Sequence, residues 1–521
     1  MGGSGAATGA RGGTAGADFE GGVGGTGAGG VGGLGGYTGS AGSSGQGGTD
    51  PQLVPTTITG LQIEANPKNV LSAFVSWTTD KVADSVVQFG ENEYVWEISD
   101  PALVTAHRVL VIGMHADTTY QVMAISSNGG ASVSATGTHT TGSLPSVVPV
   151  ANVTINDTTS VQPGWTLMNI HVGDGNRTIP TSNEPAVAAM YDLDGQPVWY
   201  YIDGTTPEMG GAVDVELTDD GVLVGPVMDT TLEDKEPPRE VDFAGNTLWE
   251  CSDPGCGGSP NLTHLAAKLP NGNYVLMREA TVNNITMPVF EEQTPDGQVV
   301  WQLDYGSLVP RPAGNTDDDW CHGNAITVNI EQDVVYANCR WMGLIKTTYT
   351  NPNALIWHLP ASHYGTGTGN MTFSPASSQY EDTHDPEVHE DGTILFFDNG
   401  GYDDPFAYPP VPPTTYHSRV LEYLIDETAM TATLVWEFPG DFNVDAWYRN
   451  EWYELQWGDA DRLGNGNVLV TAGDRGPGTE SRIFEVTKQD GAVVWEFHLG
   501  PDLSVYRAER ITPPLVRAIN Q

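Results

Sequence analysis

Apolar and polar residues alternate along most of this chain in short runs, and the runs are separated by turn residues. Tyr274-Val-Leu-Met277, Thr393-Ile-Leu-Phe-Phe397 and Val468-Leu-Val470 each follow an Asn-Gly or Asp-Gly pair. A period of two is the mark of a strand with one face buried, and such a pair between two apolar runs is the strongest local signal of a hairpin. Both turn residues are then expected at positive φ. No stretch shows a helical period closed by caps, so the chain is predicted to be all-β.

The hairpins repeat. His264-Leu-Ala-Ala-Lys-Leu-Pro-Asn-Gly272 and His384-Asp-Pro-Glu-Val-His-Glu-Asp-Gly392 each place a histidine eight positions before the turn glycine. His322-Gly-Asn-Ala-Ile opens a third hairpin, which Asn338-Cys-Arg340 ends. A second motif alternates with these. Asp192-Leu-Asp-Gly-Gln-Pro-Val-Trp199 returns before Trp249, Trp301, Trp357, Trp436 and Trp495, at spacings of 50, 52, 56, 79 and 59 residues. A unit of this length with two hairpins is one four-stranded blade, so residues 150–521 are expected to form a six-bladed β-propeller. Its inner strands would bring His264, His322 and His384 to one mouth. The long fourth interval holds the Pro-rich segment 405–413, expected to be a lid or rim insertion.

Two other segments precede the propeller. Residues 1–53 are dominated by glycine, 23 of them in the first 50 positions. Such a segment cannot bury enough apolar surface to offset its ordering entropy and is a flexible linker. Linkers of this kind join a lipid anchor at an upstream N-terminus to its domain. Residues 54–143 alternate as a small sandwich, with strands expected at 70–77, 85–89, 107–112 and 121–126. An early Trp77 and a later Tyr120 resemble the core of a fibronectin type III module. This module is a spacer or a platform on which two copies could pair as a homodimer.

Charge narrows the partners. With 66 acidic against 21 basic residues the formal charge is -45, which argues against nucleic acid and against anionic membrane. No apolar run is long enough to span a bilayer. The four cysteines lack the spacing of a tetrahedral zinc site. They are predicted to form two disulfides, Cys321–Cys339 across a hairpin and Cys251–Cys256 around a short loop, which implies an oxidising compartment.

Three histidines and an arginine at one mouth could hold a metal, cap strand carbonyls, or transfer an anionic group. Histidine sets requiring metal usually show tight local spacing or a carboxylate partner, absent here, and no metal is assigned. Covalent transfer uses every member: one imidazole as nucleophile, another as general acid, and Arg340 on the oxygens of the moving group.

On His322-Gly-Asn-Ala-Ile, Asn338-Cys-Arg340, His384-Asp-Pro, Leu395-Phe-Phe-Asp-Asn-Gly400, Gly464-Asn-Gly-Asn-Val-Leu-Val470 and Tyr506-Arg-Ala-Glu-Arg-Ile511, the region from 150 onward resembles the bacterial arylsulfate sulfotransferases. The resemblance implies a periplasmic or extracellular enzyme, which an upstream anchor could tether at the outer membrane. Such an enzyme moves a sulfuryl group from a phenolic sulfate to a phenol. The resemblance also implies His384 as the transient sulfohistidine, with His322, Arg340 and His264 catalytic. Asn324, Asp385 and Asn399 are expected around the substrate and the His384 ring. No cofactor is expected, since no nucleotide-binding loop of the G-x4-G-K type is present. The alternative is a non-catalytic adhesion propeller whose acidic loops bind calcium. It is favoured if the histidines lie apart or are buried under packing.

Overall fold

The computed structural model describes residues 54–519, except 173–185, 204–213, 226–236, 252–261, 283–284, 316–318, 363–368, 401–416, 455–456, 474–479 and 502. The linker 1–53, the insertion 405–413 and Cys256 of the second expected disulfide therefore lie outside the described residues. The described residues are almost entirely strands and turns, as the alternation predicted.

The N-terminal unit is one hydrogen-bonded sheet of Ile58–Ala65, Ala73–Gly90, Trp96–Val111, Thr119–Ser127 and Ser132–Thr140, joined at its edge by Arg517–Ala518 from the far end of the chain. Where two strands and a polar turn were expected, 73–90 is a single strand. Of the polar residues of the supposed turn, Thr78 and Asp80 face outward while Thr79 is buried on the same parity as Val75, Trp77, Ala83, Val87 and Phe89. Along its length this strand changes neighbours, from Ile58–Ala65 to Thr119–Ser127. Trp77 and Tyr120 both lie in the core, with the Trp77 indole donating to Ser126 Oγ at 2.9 Å.

Among the described residues six further sheets follow, each built on an antiparallel array of four strands, with Thr372–Ser374 added in parallel to the edge of the fifth. The first begins at Trp165–Val172, the second at Val215–Leu217, the third at Leu262–Lys268 and the fourth at Gly323–Asn329. The fifth begins at Thr383–Val388 and the sixth at Asp459–Arg462. The two chain ends lock the set. Asn152–Asn156 adds the outer strand of the sixth sheet, and Ala508–Ile511 pairs with Trp165–Val172 inside the first.

The repeated tryptophans explain the repeat. Each sits on the outer part of its sheet and donates its indole N–H to the turn region of the next sheet. Trp199 donates to Phe243 O (2.9 Å), Trp249 to Pro295 O (3.1 Å) and Trp301 to Tyr349 O (2.8 Å). Trp357 donates to Glu427 Oε1 (2.9 Å) and Trp436 to Lys488 O (3.1 Å). Trp495 donates to Leu193 O (2.9 Å), which returns to the first sheet. The sixth bond closes a circle.

The turns differ from expectation in one respect. At Leu269–Asn273, Gly272 N–H donates to Leu269 O and Leu269 N–H to Asn273 O, and only the glycine takes positive φ. The same pair of bonds recurs at Gly195, Gly245, Gly297, Gly392 and Gly466. Asn271 and Asp391 thus avoid the left-handed region, and glycine alone supplies the bulge that matches strand twist.

The N-terminal sheet packs on the first two of the six. Val75, Trp77, Trp165, Trp199, Val222 and Phe243 belong to one apolar cluster. Asn69 Nδ2 donates to Tyr200 O (2.9 Å), and His115 Nε2 meets Asp192 Oδ2 at 2.8 Å. The hydrogen bond to Asp192 raises the His115 pKa above its ordinary value, against partial burial. That contribution is complete below the unfolded pKa near 6.5 and is lost as pH rises through the higher folded value. His115→Gln is therefore expected to cost up to about 1 kcal/mol at pH 5.5 and nothing by pH 9, measured by urea unfolding at both pH values.

Candidate active site

Three successive inner strands are irregular at the same point. Strand pairing slips between Leu262 and Ala266, between Gly323 and Ala325, and between His384 and Glu387. At these slips His264 (φ 64°), His322 (φ 54°) and Asp385 (φ 39°) occupy the left-handed region. For a residue with a side chain this costs roughly 1–2 kcal/mol and persists only where surroundings enforce it. The bend is how three equivalent positions are turned toward one point.

The histidines do meet. The His264 and His322 rings stand edge to face with centroids 4.9 Å apart. Tyr506 bridges the set, 6.3 Å from His264 and 6.2 Å from His384. Arg340 is 3% exposed and lies beside them, its backbone N–H on His322 O at 2.9 Å. Its guanidinium faces Asp382 at 3.6 Å. Burial pushes the Asp382 carboxyl up to about 7 against the pull of Arg340. The Cys321–Cys339 disulfide, with Cα atoms 5.2 Å apart, fastens the residues next to His322 and Arg340. In the ladder Cys339 pairs with Gly323, two residues from Cys321, so the bridge runs diagonally rather than straight across.

Asn399 fixes the state of His384. Its Nδ2 donates to Trp457 O (2.7 Å) and Glu454 O (3.2 Å), so its Oδ1 must face the ring, at 2.6 Å from His384 Nδ1. An amide oxygen only accepts. Nδ1 therefore carries the hydrogen, and Nε2 keeps its lone pair. Burial, followed by the charges of Arg340 and other neighbours, holds the His384 pKa well below the ordinary value. His264, hydrogen-bonded to Thr263 Oγ1 at 2.6 Å, is lowered for the same first reason.

His322 goes the other way. Burial opposes its charge, but Asp319, 2.5 Å from Nδ1, outweighs burial and raises the pKa. With 17% of its side chain exposed, it also has the access to solvent that the buried pair lacks. Neighbouring imidazoles with pKa values pushed apart are a base and an acid.

Two expected residues do different work. Asn324 is wholly buried, and its Nδ2 donates to Thr383 O at 2.7 Å while its Oδ1 accepts from Asn338. It braces the fourth sheet against the fifth. Asp385 points to Arg507 (3.1 Å), not to the His384 ring. Sequence reasoning gives Tyr506 and Arg507 no role, although their motif is visible. They lie after the last tryptophan repeat, on the segment that closes the circle, so no repeat position marks them.

A buried arginine beside imidazoles whose pKa values are pushed in opposite directions is an arrangement that could serve transfer of an anionic group. The Arylsulfotransferase (ASST) family model matches residues 150–507, and the chain belongs to that family. No curated protein matches it. Among solved structures, a protein described as a putative 6-phosphogluconolactonase from Bacteroides uniformis shares 9% identity, over 82% of this chain and 99% of that one, with a TM-score of 0.35. A quinonprotein alcohol dehydrogenase-like protein of Bacteroides thetaiotaomicron shares 9%, over 88% and 99%, with a TM-score of 0.32. Neither likeness carries functional information.

Two outcomes follow from this geometry. Removing the bridge with Cys321→Ser and Cys339→Ser should cost about 3 kcal/mol by the loop-entropy relation, read from guanidinium unfolding. Asn399→Ala frees the His384 ring and its tautomer, and should cut turnover of an aryl sulfate roughly a hundredfold with the fold retained by circular dichroism.

Proposed function

We propose that this protein transfers a sulfuryl group from a phenolic sulfate ester to a phenolic acceptor through a covalent intermediate on His384, with no nucleotide donor. The observation that carries the reading is the Asn399–His384 bond, which leaves a lone pair on a buried, neutral Nε2. In this reading the six linked sheets are the blades of a six-bladed propeller, and the N-terminal unit is a fibronectin type III-like module. The protein works in the periplasm or outside the cell, consistent with the Cys321–Cys339 bridge.

Nε2 of His384 attacks sulfur, the N–S bond forms, and the S–O bond to the aryl group breaks. His322 gives its proton to the departing phenolate oxygen, so the first product leaves as a neutral phenol. Arg340 holds the equatorial oxygens. His264, with the Thr263 hydroxyl donating to its Nδ1, offers Nε2–H as a neutral donor to the same group. A second phenol then gives its proton to His322, its oxygen attacks sulfur, and the N–S bond breaks. Both half-reactions use the same groups in opposite directions. The adhesion alternative is favoured by histidines that lie apart or are buried under packing. The ring contacts speak against the first, while His264 and His384 are buried, so turnover of an aryl sulfate decides between the two readings.

Initial rates over a grid of donor and acceptor should give parallel double-reciprocal lines, and intersecting lines would reject the two-step route. Arg340→Lys keeps the charge but loses the planar fork, which should cost about 2–4 kcal/mol of transition-state stabilisation in kcat/KM. The donor half-reaction needs His322 protonated, so its rate should fall as pH rises through that raised pKa. The groups facing His322 are Asp319, Arg340, Glu279, His264 and His384. Asp319 supplies the dominant raising charge, and Asp319→Asn should move the falling limb to lower pH.

A further inference from the structure

Where the fifth, sixth and first sheets meet, the inner strands bring carboxylates together away from the histidines. Asp385, Asp459 and Asp461 each place an oxygen within 4.8 Å of the other two. The Asp459 side chain is 1% exposed; its Oδ2 accepts from Ala508 N–H at 3.3 Å, while its Oδ1 is sealed from solvent with no hydrogen-bond partner among the described residues. Asp461 Oδ2 is orphaned in the same way. The nearby cation, Arg507, pairs with one member of the set, Asp385 (3.1 Å), and with Asp214 (3.4 Å), and makes no ion pair within 4.0 Å to Asp459 or Asp461 among the described residues.

A separate residue, whose ring packs against His264 and His384, lies within the field of the same carboxylates. Tyr506 is 1% exposed, and its buried hydroxyl has no hydrogen-bond partner among the described residues. That hydroxyl lies in the field of Asp214, Asp385 and Asp459. A buried polar atom without a partner costs stability unless something supplies one. Here two carboxylate oxygens and a phenol share the deficit. Mutual repulsion of three carboxylates adds to it, in a site that water does not reach freely. One positive, oxygen-seeking occupant would answer all of these.

We propose that Asp385, Asp459 and Asp461 form a binding site for a hard divalent cation of the calcium type. Carboxylates alone, without imidazole or thiolate, select hard cations over zinc or copper. Oxygens within 4.8 Å of one another can share a coordination sphere of the 2.3–2.6 Å radius that calcium prefers. The set draws on two separate sheets, so the cation ties the fifth to the sixth. It also fixes Asp385, next in the chain to His384, while leaving the transfer chemistry to the histidines and Arg340.

The test uses the full chain stripped with chelator and titrated calorimetrically with CaCl2, alongside thermal unfolding with and without the ion. One equivalent should bind, with a dissociation constant of roughly 10⁻⁷–10⁻⁴ M, and the unfolding midpoint should rise. Asp461→Asn should weaken binding at least about tenfold and abolish the calcium-induced shift. Its calcium-free midpoint should equal or exceed that of the parent, because one of three repelling charges is gone. Asp441→Asn, an exposed acid elsewhere, should bind like the parent. Terbium luminescence of the parent protein, quenched on adding calcium, gives a readout that does not depend on any variant folding. Absence of saturable binding and of terbium emission in the parent would overturn the proposal, as would an Asp461→Asn protein that binds calcium like the parent.

Discussion

Six indole N–H bonds pass from each sheet to the next, and the last returns to the first. Each is an ordinary hydrogen bond, contributing about 1 kcal/mol at most. Their effect comes from closure: once Trp495 reaches Leu193, no sheet can tilt without disturbing its neighbours on both sides. The two terminal strands reinforce the same seam, Asn152–Asn156 from outside and Ala508–Ile511 from inside. A rigid circle is what permits residues in left-handed backbone conformations at the heads of three inner strands. The strain at His264, His322 and Asp385 is local, whereas the restraint is shared by the whole ring.

Inside that circle the charges are arranged with economy. The protein carries 21 basic residues against 66 acidic ones; Arg340 is buried, and Arg507 is largely buried and paired with Asp385. Burial, and after it the neighbouring charges, hold the pKa values of His384 and His264 well below the ordinary one. Asp319 reverses that balance for His322 alone. Three copies of one residue type, placed at or beside one repeated bend, thereby have their pKa values pushed in opposite directions. Symmetry of the fold delivers the residues, and asymmetry of their partners divides the labour.

Much of this was legible from the chain. The tryptophan period works because each unit makes the same bond to the next, so selection for closure leaves a mark at a fixed place in every unit. The histidines were found because each heads a hairpin, His264 and His384 at the same distance from a turn glycine. Local rules failed where long-range pairing decides. Ala73–Gly90 is one strand because it trades neighbours midway, which alternation alone cannot reveal. Asn324 has the composition of a binding residue, yet a neighbouring sheet's carbonyl claims its amide. Tyr506 and Arg507 belong to a segment whose position is set by pairing with a strand more than three hundred residues earlier.

Transfer by this route requires the sulfuryl group to rest on one nitrogen between its two phenols. Incubating the protein with aryl sulfate donor and no acceptor, quenching at alkaline pH and mapping the peptides by mass spectrometry tests that directly. Imidazole is a fair leaving group, so the adduct must be caught before it hydrolyses. The expected result is one added sulfuryl group, on the peptide containing His384 and on that residue, with one equivalent of phenol released. An unmodified His384 peptide, together with a stoichiometric burst of phenol and the mass added elsewhere, would contradict the assignment of His384 as nucleophile.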